Sequence, residues 1–205
     1  ETERSRIARD LHDGLGSSLT EIGVLASTGQ LPQATATGQS NLFQAIGSRA
    51  RNLVSALDVI VWAVDPEDNT LQSLADYLTS YTNDFFSHTQ IACRFKVPVS
   101  CPAVTLEGRV RHDLLMSVKE ALNNVARHAH ATEVEFRLSV TGSDLEIDIA
   151  DNGKGIENRA SSNGHGLKNL SARLKKIGGN CLVGPRTGGG TIVKLRLPLG
   201  VSAAA

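Results

Sequence analysis

The chain has 205 residues, 40% of them apolar, and its 21 Lys+Arg balance 21 Asp+Glu to a formal net charge of zero. That length accommodates one large domain or two small ones with a real core, and a neutral chain without a basic block excludes nucleic acid as the main direct partner. The sequence as given shows no secretory-leader pattern and no apolar run approaching the roughly 18 residues of a membrane helix, and on this reading we expect a soluble, cytoplasmic chain that makes no membrane contact of its own.

In chain order, Ile7, Leu11, Leu15, Leu19, Ile22 and Leu25 recur at steps of three or four, one apolar stripe on a helix. At about 100° per residue, His12 falls beside this stripe, near a packed seam yet reachable. Gly14 and Gly16 each cost about 1 kcal/mol in a helix relative to Ala, and they leave room beside His12. The polar stretch 28–40, with Pro32, reads as a loop. A second stripe follows at Leu42, Ile46, Ala50, Leu53, Leu57, Ile60 and Val64. The two helices form an antiparallel hairpin too narrow to hide its own apolar surface. Pairing two hairpins into a four-helix bundle buries the remainder and predicts a homodimer. Asp65-Pro66-Glu67-Asp68-Asn69 breaks the helix and marks the domain boundary, giving domains at 1–68 and 69–205. The chain opens on Glu1-Thr2-Glu3-Arg4 without a Met and reads as a piece of something longer.

Thr70 is placed to cap a helix over 71–87. A strand is expected over 91–97, and a helix over 106–130 with Val110, Leu114, Val118, Leu122 and Val125 on one face. Alternating strands over 133–140 and 145–150 flank the turn Thr141-Gly142-Ser143-Asp144. A helix over 167–177 ends at Gly178-Gly179 in C-cap position, and strands over 181–183 and 191–197 close the chain. The fold class is thus α+β: a helical hairpin, then an α/β sandwich whose mixed sheet carries helices on one face. Cys93, Cys101 and Cys181 have no metal-site spacing and read as small buried thiols.

Four segments of the second domain bear chemistry. Glu120 and Asn124 project from one helix face, and a carboxylate with an amide oxygen suits a hydrated Mg²⁺. Arg127 and His128 lie about one turn further on and can reach phosphate oxygens. Alone, E-x-x-x-N reads more simply as a solvated helix face. Asp151-Asn152-Gly153-Lys154-Gly155 follows a strand; a carboxylate there can accept a hydrogen bond from an exocyclic amine such as that of adenine. Gly153 and Gly155 permit close backbone approach, although D-N-G alone signifies only a tight turn. Gly164-His165-Gly166-Leu167 precedes a helix, an arrangement whose free amides favour anions but which also describes an ordinary flexible loop. The polar run 157–163 is a candidate lid over a nucleotide. Gly188-Gly189-Gly190-Thr191 offers a further close approach or simply a turn.

In this order and spacing the segments resemble the ATP-binding domain shared by gyrase, Hsp90, histidine kinases and MutL (the GHKL group), with its Bergerat fold. The resemblance spans residues 90–198. It implies that Asn124 binds Mg²⁺, that Asp151 recognises adenine, and that the Gly164/Gly166 segment contacts the phosphates of ATP. The N-terminal run RIARDLHDGLGSSL resembles the phosphoacceptor box of sensor histidine kinases of the DesK/NarX-like subfamily, as does VIVWAVDPEDNTLQSLADYL. This implies autophosphorylation of His12 from Mg-ATP, with Asp13 holding the other ring nitrogen or taking its proton. The phosphoryl group then passes to an aspartate on the receiver domain of a response regulator, in this subfamily usually a DNA-binding one. An upstream sensor is implied as well. One position departs: the family often carries Gln four residues after the acid, where this chain has Ser17. A hydroxyl reaches less far than a carboxamide, so we expect weak or absent phosphatase activity. The competing readings are another ATPase or serine kinase of the same superfamily, and a catalytically inactive dimeric scaffold that binds nucleotide and regulator.

Overall fold

The computed structural model describes residues 69–156 and 165–200, together with positions 43, 46, 47 and 50, which are helical. The chain divides into two compact units, Glu1–Asp65 and Pro66–Ala205. Apart from those four positions the expected hairpin, with His12, Asp13 and Ser17, lies outside the described residues, as do the lid segment 157–163 and Gly164.

The second unit begins with helix α1, Leu71–Ser87. Its start is set by Thr70, whose Oγ1 accepts the Ser73 N–H at 3.1 Å, a cap worth about 1 kcal/mol. The segment before α2 is strapped to the same point: Leu71 N–H donates to the Val104 carbonyl at 2.9 Å, and Leu106 N–H to that of Asn69 at 2.7 Å. Leu71, Leu74, Ala75, Leu78, Thr82 and Phe86 form the buried face of α1. Strand β1, Ala92–Lys96, follows, and then helix α2, Gly108–Asn124.

Here the structure corrects the expectation of one α-helix running to His130. After Asn124 the chain forms a π-helical turn over Val125–Ala129 and leaves it through His130 in the left-handed region, φ 52°. The apolar spacing of Leu122, Val125 and Ala129 suits an α-helical or a wider last turn equally well, so periodicity could not separate them. The Ala129 carbonyl is taken outside the helix, by the Lys154 N–H at 2.9 Å.

Strands β2 (Glu133–Thr141) and β3 (Asp144–Asp151), helix α3 (His165–Lys176), and strands β4 (Asn180–Pro185) and β5 (Thr191–Pro198) complete the unit. Helix α3 ends as expected at its glycines. Gly178 takes φ 79°, and Gly179 N–H returns to the Leu174 carbonyl at 2.9 Å, the closing bond of a Schellman turn.

The sheet order is β1-β2-β3-β5-β4. β1 runs parallel to β2, and the other neighbours are antiparallel. The two faces of the sheet differ in kind. Val134, Phe136, Leu138, Leu145, Ile147, Ile149, Val193, Leu195 and Leu197 are buried, and α1, α2 and α3 pack onto the sheet. The opposite face carries ion pairs, among them Lys194–Asp148 at 3.5 Å and Arg196–Glu146 at 2.8 Å. A sheet alternating apolar and charged in register packs helices on one side only, which is the expected sandwich.

Candidate functional site

Register carries the last residue of β3 to the beginning of β2: Asp151 pairs with Val134. The turn after β3 therefore lies against the loop that joins the π-turn to β2. Distant parts of the sequence meet here, and the sheet decides how.

Asp151 is 4% exposed. Its Oδ1 accepts the Gly153 N–H at 2.8 Å and the Thr191 N–H at 3.2 Å. Both described bonds fall on one oxygen, which leaves Oδ2 as an acceptor for an amine. Two glycines flank the carboxylate. A Cβ at Gly153 would stand 2.1 Å from the Ala129 carbonyl oxygen, and one at Gly190 would stand 2.0 Å from the Asp151 carbonyl oxygen. Neither position accommodates a side chain, so backbone meets backbone around the carboxylate. Gly155 lies next to Gly190 with φ 77°, and Thr191 opens β5. Thus Thr191 acts through its N–H on Asp151, a link across forty residues of sequence.

Glu120 and Asn124 stand on the last turn of α2, both half-buried. The Asn124 Nδ2 is buried with no hydrogen-bond partner. Such an orphan costs roughly 1–3 kcal/mol. The two ends of a carboxamide have the same shape, so the unpartnered end can equally present oxygen to a cation. With Glu120 four residues earlier, this donor set fits a hydrated Mg²⁺, which takes few protein ligands. No group of three or more His, Cys, Asp or Glu suited to a metal occurs among the described residues, so a dedicated all-protein cage is not formed there. Arg127 and His128 are exposed on the π-turn. Gly166 and Leu167 fall in the first turn of α3, which begins at His165, two residues before the predicted start.

Asn152 was not singled out by sequence reasoning. Its Oδ1 accepts the N–H groups of Thr132 at 3.0 Å and Glu133 at 2.9 Å, and its Nδ2 donates to Thr132 Oγ1 at 2.9 Å. An Asn directly after a strand is a turn-forming signal, but its partners twenty residues upstream are visible only in the fold.

Two family models match the chain. One, described as histidine kinase-, DNA gyrase B- and HSP90-like ATPase, matches residues 110–201; the other, described as histidine kinase, matches residues 3–69. The chain belongs to the histidine kinase family. Its N-terminal module is of the DesK/NarX type. The nitrate/nitrite sensor protein NarQ of Escherichia coli (strain K12) is 28% identical over 202 residues, covering 94% of this chain and 34% of that protein. The sensor histidine kinase YhcY of Bacillus subtilis (strain 168) is 29% identical over 202 residues, covering 96% of this chain and 50% of that protein. This histidine kinase chain thus spans a third to a half of the length of those relatives. Its fold is shared with the Acinetobacter baumannii histidine kinase AdeS, at a TM-score of 0.58 and 14% identity over 93% of this chain and 98% of that one. The Erythrobacter litoralis EL346 blue-light activated histidine kinase matches at 0.56 and 22%, over 75% of this chain and 54% of that one.

Proposed function

We propose that this chain is the kinase core of a two-component sensor, using Mg-ATP to phosphorylate His12 and passing the phosphoryl group to an aspartate of a response regulator. Residues 1–68 serve as the dimerisation and phosphotransfer domain, and 69–205 as the ATP-binding domain. The observation that carries the reading is the buried Asp151 carboxylate, held at Oδ1 by two backbone N–H groups, with no hydrogen bond to Oδ2 among the described residues, and flanked by two glycines that admit no side chain. A planar base carrying an exocyclic amine suits such a site.

In this reading Asp151 accepts the adenine amine. Gly153, Gly155 and Thr191 keep the backbone close to the base. Arg127, His128 and the Gly164–Leu167 segment take the phosphates. Asn124 and Glu120 hold Mg²⁺, which neutralises charge on the phosphate oxygens when bound. The neutral imidazole of His12 attacks the γ-phosphorus. A P–N bond forms, the bond to the ADP oxygen breaks, and Asp13 receives or holds the ring proton. Positioning and charge neutralisation are the main protein contributions to such a transfer. The chain acts as a homodimer in the cytoplasm, within a longer receptor, and its partner is a receiver domain, in this subfamily that of a DNA-binding regulator. Among the described residues no helix is long and apolar enough to cross a membrane.

The test is transfer of label from γ-labelled ATP. Acid-labile, base-stable label is expected, absent in His12→Gln, and Asp151→Asn is expected to lose nucleotide binding. Nucleotide binding without label would replace this reading by the inactive scaffold, and label that survives in His12→Gln would point to another phosphotransfer enzyme. With Ser17 in place of Gln, a phosphorylated regulator incubated with the chain and Mg²⁺ is expected to keep its phosphate. Rapid loss, slowed by Ser17→Ala, would refute that expectation.

A further inference from the structure

The Asn152 side chain makes three hydrogen bonds, yet the residue is exposed and is not part of the core. All three bonds end on Thr132 and Glu133, the two residues that carry the chain from the π-turn into β2. The Asn152 N–H adds a fourth to the Glu133 carbonyl at 3.2 Å. On one side of this knot is Asp151. On the other, three residues before Thr132, is Ala129, whose carbonyl accepts from Lys154. The π-turn with Arg127 and His128, and Asn124 just before it, are on that same side. The exit of the π-turn is also its least relaxed point, since His130 holds φ 52° without being glycine.

We propose that Asn152 is a positioning residue that sets the distance between two halves of the nucleotide site, the base half at Asp151 and the phosphate and metal half at Asn124–His128. The inference rests on the function proposed above. The physical reason is a chelate argument. A ligand that spans both halves gains from each only if they are already in register, and misregister is charged against the second contact. A ligand that touches one half is indifferent to the clamp. The Asn152 carboxamide suits this task because one oxygen accepts two adjacent N–H groups while its nitrogen takes the neighbouring hydroxyl. Glu133 is tied in turn to β1 by its ion pair with Arg94 at 2.7 Å, and Thr132 by its carbonyl, which accepts the Ala92 N–H at 2.9 Å. The anchor therefore lies in the sheet, not in another loop.

The experiment compares the binding of adenosine and of Mg-ATP to the whole chain, by calorimetry, for wild type, Asn152→Ala, Asn152→Asp and Thr132→Val. Asn152→Ala removes all three side-chain bonds and is expected to weaken Mg-ATP about tenfold while changing adenosine less than about twofold. Asn152→Asp keeps the double acceptor and Thr132→Val removes only the hydroxyl partner, so both are expected within about threefold of wild type for Mg-ATP. Equal losses for adenosine and Mg-ATP, unchanged Mg-ATP binding in Asn152→Ala, or failure of Asp to restore it would each overturn the inference. Amide hydrogen exchange on wild type needs no variant. Thr132 and Glu133 are expected to be slow and to slow further with Mg-ATP but not with adenosine; fast exchange at both overturns the clamp even if Asn152→Ala does not fold. Wild-type chain that binds neither ligand would instead remove the nucleotide reading, and the inference with it.

Discussion

A methyl group at position 153 would stand 2.1 Å from the Ala129 carbonyl oxygen, so the residue there is decided by one neighbouring residue. Gly153→Ala has to displace the end of the π-turn or the Asp151 turn, an overpacking cost of about 1–3 kcal/mol. Chemical denaturation should show that loss, and nucleotide affinity should fall with it. At β1 a different residue responds to pH. Burial pushes the Cys93 thiol up to about 11, from an ordinary value of 9.0. The folded chain therefore holds that proton more tightly than the unfolded chain. The stability it contributes is complete below pH 9 and disappears as the pH rises through about 11. A falling urea midpoint over this window, shallower in Cys93→Ala, is the expected result, together with slow alkylation of Cys93 in native protein at pH 8 compared with a free thiol. Asp151 was legible as a carboxylate after a strand, because β alternation and turn residues are local signals. Its anchoring by Thr191 was not, since that N–H arrives from the start of β5.

Among the elements, α1 shows how much a local rule can decide. Thr70 caps it as its position predicts, and Thr70→Ala is expected to cost about 1 kcal/mol while Thr70→Ser costs little; thermal denaturation of the three proteins checks this. The end of α2 shows where a local rule stops. The same apolar spacing fits an α-helix and a π-turn, and the difference lies in the Ala129 carbonyl, which finds its partner in Lys154. The short β1 is similar. Alternation over Cys93 and Phe95 marks a strand, but its parallel pairing with β2 requires a crossover through α2, and no strand signal by itself specifies direction.

For the whole molecule, the division at Asp65/Pro66 makes a claim about independence. A chain running from Pro66 to Ala205 contains the sheet, its three helices and every described residue of the candidate site. It is expected to unfold in one cooperative transition and to show the same Mg-ATP affinity as the full chain in calorimetry, without accepting label. Loss of folding in that fragment, seen by circular dichroism and calorimetry, would refute it. The charged face of the sheet contributes little to this stability. The basic partner of each ion pair is about half exposed to solvent, and pairs screened in this way are typically worth about 0–1 kcal/mol. Cohesion comes from the apolar face, where Phe136, Leu138, Ile147 and Ile149 are sealed beneath the helices.

The sequence by itself determined the kinds of element, their order and the residue types of the candidate site: the strand alternation, the cap at Thr70, the glycines of the turn after β3, and the Glu120–Asn124 pair on one helix face. Each of these depends on neighbours within a few positions, and period and propensity operate at that range. Only the tertiary structure decided that Asp151 would stand beside Val134, that Thr191 would donate to it, that the helix before it would end in a π-turn, and that Asn152 would tie the two sides together. Those choices are made by strand register and backbone close approach between segments tens of residues apart, which become neighbours only after the sheet has formed.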